Sequence, residues 1–428
     1  MGLPDNPSAG KRITKKQVTG IVIGNWLEFF DFVVYSIFAV TIGKAFFPAT
    51  DPNTQILLSL ATFGVGFLAR PLGSIIIGAY ADRAGRKAAM TMTIMFMAVG
   101  TAIIAFTPPY AAIGLAAPVL LVIARLLQGF SAGGELGAAT SLLIEMAPTG
   151  RRGLFGSWQI ASQGLAIVTG ALIGVALNLL LAPEAMQSWG WRVPFVLGLL
   201  IAPIGLYIRN NLEETAEVTG DATSMDVLKT LFKDHGLLLL CCIIGVGGGT
   251  ISNYVLNTYM VTFAIQTLHM PPTLAMLAGL TGGAVLFLGS LLGGYLSDVL
   301  GRRQLTLWPR IVMILLTYPL MMYLTQAQTL GSLLGAIAVL SGLLAISAAP
   351  GLILMPESFP RSVRAAALSI SYAIATTLFG STAPALASWM IVKTGTPMSL
   401  AWFLIIANGI ALLAIIPMRA PKANEALD

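Results

Sequence analysis

The stretch Gly78-Ala-Tyr-Ala-Asp82-Arg83-Ala-Gly85-Arg86-Lys87 returns 216 residues later as Gly294-Tyr-Leu-Ser-Asp298-Val-Leu-Gly301-Arg302-Arg303, with glycine, acid, glycine and paired bases in the same register. A second pair follows. Glu145-Met-Ala-Pro148 has Arg152 seven residues after its acid, and Glu357-Ser-Phe-Pro360 has Arg364 at the same distance. The offset is close to half of the 428-residue chain. Repeats of this kind, set in long apolar segments, mark two homologous helical halves around a central site, which is the plan of secondary transporters.

Composition leads to the same class. Hydrophobic residues make up 56% of the chain and charged residues 10%, with mean hydropathy +0.84. A soluble domain would have too little polar surface to cover itself. A window of about 19 residues predicts an all-α membrane protein with twelve spans, at 18–42, 56–80, 88–107, 116–146, 153–181, 191–209, 236–263, 273–297, 304–324, 330–355, 363–391 and 399–418. The expected organisation is a polar tail (1–17), a six-helix half (18–209), an acidic linker (210–235) ending in an amphipathic stretch over Met225 to Phe232, a second six-helix half (236–418) and a short tail (419–428).

Orientation follows from the bases. With a cytoplasmic N-terminus, 18 of the 24 lysines and arginines fall on the cytoplasmic side and only Lys44, Arg192 and Lys393 on the other. Arg70, Arg125 and Arg310 lie inside spans. This positive-inside bias predicts cytoplasmic termini and accounts for the net charge of +6 without nucleic acid. No signal peptide is expected, because Glu28 and Asp31 interrupt the first apolar run and no small-residue cleavage site follows. Adjacent Cys241 and Cys242 inside a span form neither a disulfide framework nor a metal site. Two histidines and no ligand cluster argue against an enzyme, and no cofactor is expected.

Five ionisable residues sit in the spans of the first half: Glu28, Asp31, Arg70, Arg125 and Glu135. Each costs roughly 2.5 to 3.5 kcal/mol at a helix centre, so such a set implies a task or tight mutual pairing. On span 1, Asn25, Glu28, Phe32 and Tyr35 share a stripe, with Asp31 beside Glu28. Repulsion between two neighbouring carboxylates favours a proton on one of them, so Asp31, Glu28 and Glu135 are the candidate proton carriers. Arginine cannot give up its proton here and is suited to a substrate carboxylate. Arg125, near the middle of span 4, is the leading candidate. For Arg70 two readings stand: substrate contact, or local satisfaction of the carbonyl that Pro71 frees. Gln159 and Gln163, four apart on span 5, either line the cavity or bond between helices. In the second half the spans are neutral apart from Arg310, whose role is open, and Asn253, Asn257 and Tyr372 are the candidate substrate contacts. Gly129, Gly133 and Gly137, and the run Gly245-Val-Gly247-Gly248-Gly249, read as close helix contacts.

The repeated loops between spans 2 and 3 and between 8 and 9 resemble the signature of the major facilitator superfamily. More specific are Gly24-Asn25-Trp-Leu-Glu28-Phe-Phe-Asp31, Phe67-Leu-Ala-Arg70-Pro71-Leu-Gly73, Arg125-Leu-Leu-Gln128-Gly129-Phe-Ser-Ala-Gly133-Gly134-Glu135 and Trp189-Gly190-Trp191-Arg192-Val-Pro194-Phe195. Together these resemble the metabolite:proton symporter family, and Ser157-Trp158-Gln159 with Ala161-Ser162-Gln163 is similar to its citrate and tricarballylate branch. The resemblance implies a bacterial inner-membrane symporter, expected as a monomer among membrane lipid, that takes up a small organic anion with protons. A zwitterion or monocarboxylate such as betaine, proline or shikimate is the alternative substrate, and a non-cycling nutrient sensor the alternative class. The chain ends about ten residues after span 12 without a heptad-patterned extension, which makes an osmolyte the less expected substrate. The resemblance also implies a cytoplasmic gate made of Asp82, Arg83, Arg86, Arg152, Asp298, Arg302 and Arg364. The other reading of these bases is that they only enforce orientation.

Overall fold

The computed structural model describes residues 15–48, 51–84, 86–133, 140, 143–144, 147–148, 150–199, 203, 224–360 and 363–418; for 15–17, 78–79, 81–84, 86–87, 89–90, 224–228 and 365 it describes the backbone alone. Among the described residues nine helices are long and apolar enough to cross a membrane, and Thr91–Phe106 and Ala116–Ala132 are shorter apolar helices. These eleven coincide with eleven of the twelve expected spans. The remaining one, expected at 191–209, is helical over 193–199 and otherwise falls mainly outside the described residues.

The first half contains α1 (Lys15–Ile37), α2 (Ala39–Phe46), α3 (Pro52–Leu68), α4 (Arg70–Ala84), α5 (Arg86–Phe106), α6 (Ala116–Ala132) and α7 (Arg152–Leu180). A surface helix, α8 (Ser224–Asp234), occupies the amphipathic stretch and turns Leu231 inward and Phe232 outward. The second half contains α9 (Gly236–Tyr254), α10 (Met260–Gln266), α11 (Pro272–Leu300), α12 (Arg302–Ala327), α13 (Leu330–Glu357), α14 (Arg364–Ala375), α15 (Ala383–Thr394) and α16 (Met398–Ile415). Of the spanning helices α1 and α13 are the most deeply buried and α12 the least. The first two therefore stand at the centre of the molecule, while α12 turns Trp308, Leu315 and Tyr323 outward, as a lipid-facing helix must.

Lipid tails are as apolar as leucine, so helices associate here through close packing. In the first half, a Cβ added at Gly129 would stand 1.5 Å from the Gly66 carbonyl oxygen, and one at Gly133 would stand 2.1 Å from that of Arg70. The expected small-residue stripe on α6 is thus a backbone crossing over α3 and α4; Gly137 lies outside the described residues. Between the halves, α7 and α11 run together through Gly153 against Gly294, Gly164 against Gly283 and Gly174 against Met276.

Several expected spans are interrupted. Span 1 breaks at Phe38, and span 2 breaks at Ala69, before Arg70 and Pro71. Spans 7 and 11 each contain one wide turn, Val255–Tyr259 and Thr376–Gly380. Such π-type turns leave irregular backbone at membrane depth, which is tolerated where it is buried in protein. Proline accounts for the break at Ala69. Pro384, four residues after Gly380, marks the wide turn of span 11, while no proline follows that turn within span 7, and hydropathy shows each as one unbroken span.

Candidate functional site

Asp31 on α1 is the end of a hydrogen-bonded chain inside the first half. The Thr101 hydroxyl on α5 donates to Asp31 Oδ2 at 2.5 Å and accepts from Gln128 Nε2 at 2.9 Å. Gln128 on α6 accepts in turn from Arg125 Nη1 at 2.7 Å. One helical turn separates Arg125 from Gln128, so both point to the same face. The guanidinium is wholly buried, and its carbon lies 4.6 Å from the ring centres of Phe32 and Tyr35 and 5.2 Å from that of Phe63. Three aromatic faces and one amide hold its charge. Tyr35 is anchored by its hydroxyl, which donates to the Ser59 carbonyl at 3.2 Å.

Glu28 and Asp31 share a cavity among α1, α5, α6 and the 193–199 helix, with Thr93, Thr101 and Ser131 on its walls. The expected juxtaposition of the two acids is therefore present. Arg125 is not on these walls, and Glu135 lies outside the described residues.

Arg70 follows neither sequence reading fully. The carbonyl that Pro71 frees, four residues back, is that of Phe67, and it accepts the Thr377 hydroxyl of the second half at 3.0 Å. Local satisfaction by Arg70 is thus not what the structure contains, because a side chain from the other half reaches that oxygen first. The Arg70 guanidinium lies instead over the Phe67 ring at 4.2 Å and the Phe32 ring at 4.9 Å, with Nε and Nη2 lacking hydrogen-bond partners. Phe32 consequently carries both Arg70 and Arg125.

Polar side chains also link the halves near the wide turn of span 7. Ser341 on α13 donates to Asn257 Oδ1 at 2.8 Å, Asn257 donates to Asn253 Oδ1 at 2.8 Å, and Asn253 reaches Gln163 of α7 at 3.5 Å. Tyr372 on α14 lies on the same cavity wall as Gln163. Gln163, Asn253 and Tyr372 border this second cavity, between α7 and the helices of the second half, with Tyr254 and Arg310 on its walls, whereas Asn257, an expected substrate contact, and Ser341 are not among its wall residues. Gln163, Asn253 and Tyr372 therefore meet at one place, as expected. Gln159 and Asn25 behave otherwise: they pair with each other at 2.7 Å, and Asn25 also donates to Ser162 at 2.5 Å and to the Gln159 carbonyl at 3.0 Å. Their amides are engaged in joining α1 to α7.

At the expected cytoplasmic end, the second repeat motif grips the first half. Asp298 accepts the backbone N–H groups of Gly153 at 2.8 Å and Leu154 at 3.0 Å, at the start of α7. A carboxylate there satisfies two open donors and faces the positive end of the helix. Arg302 stands 3.7 Å from Asp298 and 2.9 Å from the buried Glu357, and Arg152 and Arg364 also bear electrostatically on Glu357. Four of the expected gate residues thus converge with the acid of the second motif pair. The side chains of Asp82, Arg83 and Arg86 lie outside those described.

Sequence alone gives Thr101, Ser341 and Phe63 no role, places Phe32 only on the stripe of span 1, and shows Phe67 and Gln128 only inside motifs. A threonine or phenylalanine in an apolar span carries little signal, because most such residues bond to their own helix or fill the core. Only the side chain opposite distinguishes Thr101.

Two successive stretches of the chain, 18–219 and 211–418, match the family described as sugar (and other) transporter. The citrate-proton symporters of Salmonella typhi and Klebsiella pneumoniae are 34% and 36% identical to it, over 99% and 92% of this chain and 98% and 89% of theirs. The proline/betaine transporter of Escherichia coli K12 is 33% identical over 96% of this chain and 85% of its own. A crystal structure of a D-xylose-proton symporter has a TM-score of 0.78 at 17% identity, covering 96% of this chain and 98% of the other, a likeness of fold alone.

Proposed function

The chain belongs to the sugar (and other) transporter family of the major facilitator superfamily, and we propose that it is a proton-coupled symporter importing a di- or tricarboxylate of the citrate type by alternating access. The observation that carries this reading is the relay Asp31–Thr101–Gln128–Arg125. It joins a carboxyl that can gain and lose a proton to a guanidinium that cannot. A protonation change at Asp31 reorients the Thr101 hydroxyl, then the Gln128 amide, and so alters the hold on Arg125. Phe32 then transmits that change to Arg70, which it also carries. Glu28 tunes Asp31 from the same cavity.

Substrate occupies the cavity between the halves, held by Gln163, Asn253 and Tyr372. Asp298 and the Glu357 cluster close the cytoplasmic side and release it when the halves rock. The identities to citrate-proton symporters support the substrate class. The 33% identity to a proline/betaine transporter favours a zwitterion as the second reading. The protein acts as a monomer in a bacterial inner membrane with both termini cytoplasmic.

The test is uptake of labelled citrate into proteoliposomes under an imposed pH gradient, with succinate, 2-oxoglutarate and betaine as competitors. Accumulation that collapses with the gradient and yields to the carboxylates supports the proposal. Competition by betaine alone moves the assignment to the second reading, and uptake indifferent to the gradient removes proton coupling.

A further inference from the structure

Among the described residues, Arg310 is the arginine inside a span of the second half, and neither the relay nor the gate uses it. It sits on α12, about two turns from the start of that helix, and is 3% exposed. Its Nη1 makes one long hydrogen bond, 3.4 Å, to the Gly245 carbonyl, and its Nε has no partner. Among the described residues, no acidic side chain borders the cavity into which it projects. The other two arginines of the membrane interior lie over aromatic faces: Arg125 over three rings, with Gln128 and the Phe63 carbonyl as acceptors, and Arg70 over two.

A buried guanidinium with a single weak acceptor is costly. Its five N–H donors and its charge call for an anion, and a planar fork matches a carboxylate in particular. The cavity supplies the rest of such a site. Tyr254, Tyr372, Asn253 and Gln163 offer neutral hydrogen-bonding groups, and apolar residues complete the walls. Gly249 borders the guanidinium, since a Cβ there would make ordinary contact with Arg310 Nη2 at 3.5 Å.

We propose that Arg310 is the specificity-determining anion ligand of the central cavity, where it binds a carboxylate of the transported molecule against the neutral amides and phenols of α7, α9 and α14. The proposal deepens the transport reading, on which it rests for treating the ligand as substrate. A zwitterion with one carboxylate could also use this residue, so the site defines the ligand's charge and not its name.

The experiment places a thiol beside the guanidinium by Gly249→Cys, in a chain also carrying Cys241→Ala and Cys242→Ala. Purified protein in nanodiscs is treated with an anionic and a cationic methanethiosulfonate of similar size. The anionic reagent should react at least tenfold faster, and adding Arg310→Gln should abolish the preference. Citrate should slow the reaction in the arginine form only. Equal rates, or a preference that survives Arg310→Gln, would overturn the proposal.

Should Gly249→Cys fail to fold, thermal shifts with citrate, succinate, acetate and phosphate decide. Stabilisation by a carboxylate that is lost in Arg310→Gln and partly kept in Arg310→Lys supports the site. A response unchanged by Arg310→Gln, or no response to any of the four anions, overturns it. Charge preference without any effect of citrate sinks the citrate reading and leaves the anion site standing, so the two can fail separately.

Discussion

Thr101 donates its hydroxyl proton to Asp31 and accepts one from Gln128, so the single polar group of α5 in this chain sets the direction of every hydrogen bond between Asp31 and Arg125. A hydroxyl that has given its proton to an ionised acid must accept elsewhere. When Asp31 is protonated the same hydroxyl can turn, and the amide of Gln128 follows. Coupling between proton and substrate then depends on one rotor.

Asp31→Asn fixes one end of that chain in a neutral, protonated-like form. The variant should bind substrate and exchange it across the membrane, yet fail to concentrate it against a gradient. Thr101→Val should show the same separation, and Thr101→Ser, which restores the hydroxyl, should recover accumulation. Accumulation and exchange measured in the same vesicles decide, and a Thr101→Val protein that accumulates normally removes the rotor from the mechanism.

Arg125 lines neither cavity, although its position in span 4 makes it the leading substrate candidate by sequence. Arg125→Lys keeps the charge but loses the planar fork that meets Gln128 and spreads over three rings. Substrate affinity by calorimetry should change by less than about threefold, or ~0.7 kcal/mol, while gradient-driven accumulation falls severely. A loss of binding beyond tenfold would return Arg125 to direct substrate contact.

Asp298→Asn weakens the hold of the second half on the start of α7. The lost charge at a helix N-terminus is worth about 1 kcal/mol, or roughly a fivefold shift toward the state open at this end. A thiol introduced by Ser157→Cys, at a position buried against Gly294, should label faster from that side with substrate affinity unchanged. Unaltered labelling would leave the motif with an orienting role only.

Gly129→Ala and Gly409→Ala form a matched pair. The first drives a methyl group into the Gly66 carbonyl, and the second meets nothing within 4 Å. Gly129→Ala should cost about 1–3 kcal/mol or prevent folding. Gly409→Ala should be neutral or stabilise by up to about 1 kcal/mol, because alanine is the better helix former. Melting temperatures in one detergent compare them, and equal values would mean that α3 and α6 can part without penalty.

The sequence by itself determined the class, eleven of the twelve spans and the inventory of intramembrane charges. It could do so because hydropathy, charge bias and repeat offset are one-dimensional quantities that a bilayer enforces residue by residue. Asp31, Glu28 and Arg310 were conspicuous for the same reason: a charge in a span is costly wherever it points.

Tertiary structure alone decided which of those charges meet which partners. The carbonyl freed by Pro71 is satisfied by Thr377, 310 residues away, and Asn25 is paired with Gln159, 134 residues away. Local spacing is blind to such contacts, since hydrogen bonds are short and directional while helix crossings are set by small residues such as Gly66, Gly129, Gly164 and Gly283. Those crossings turn Thr101 toward Asp31 and leave Arg310 without an acidic partner among the described residues beside the cavity between the halves.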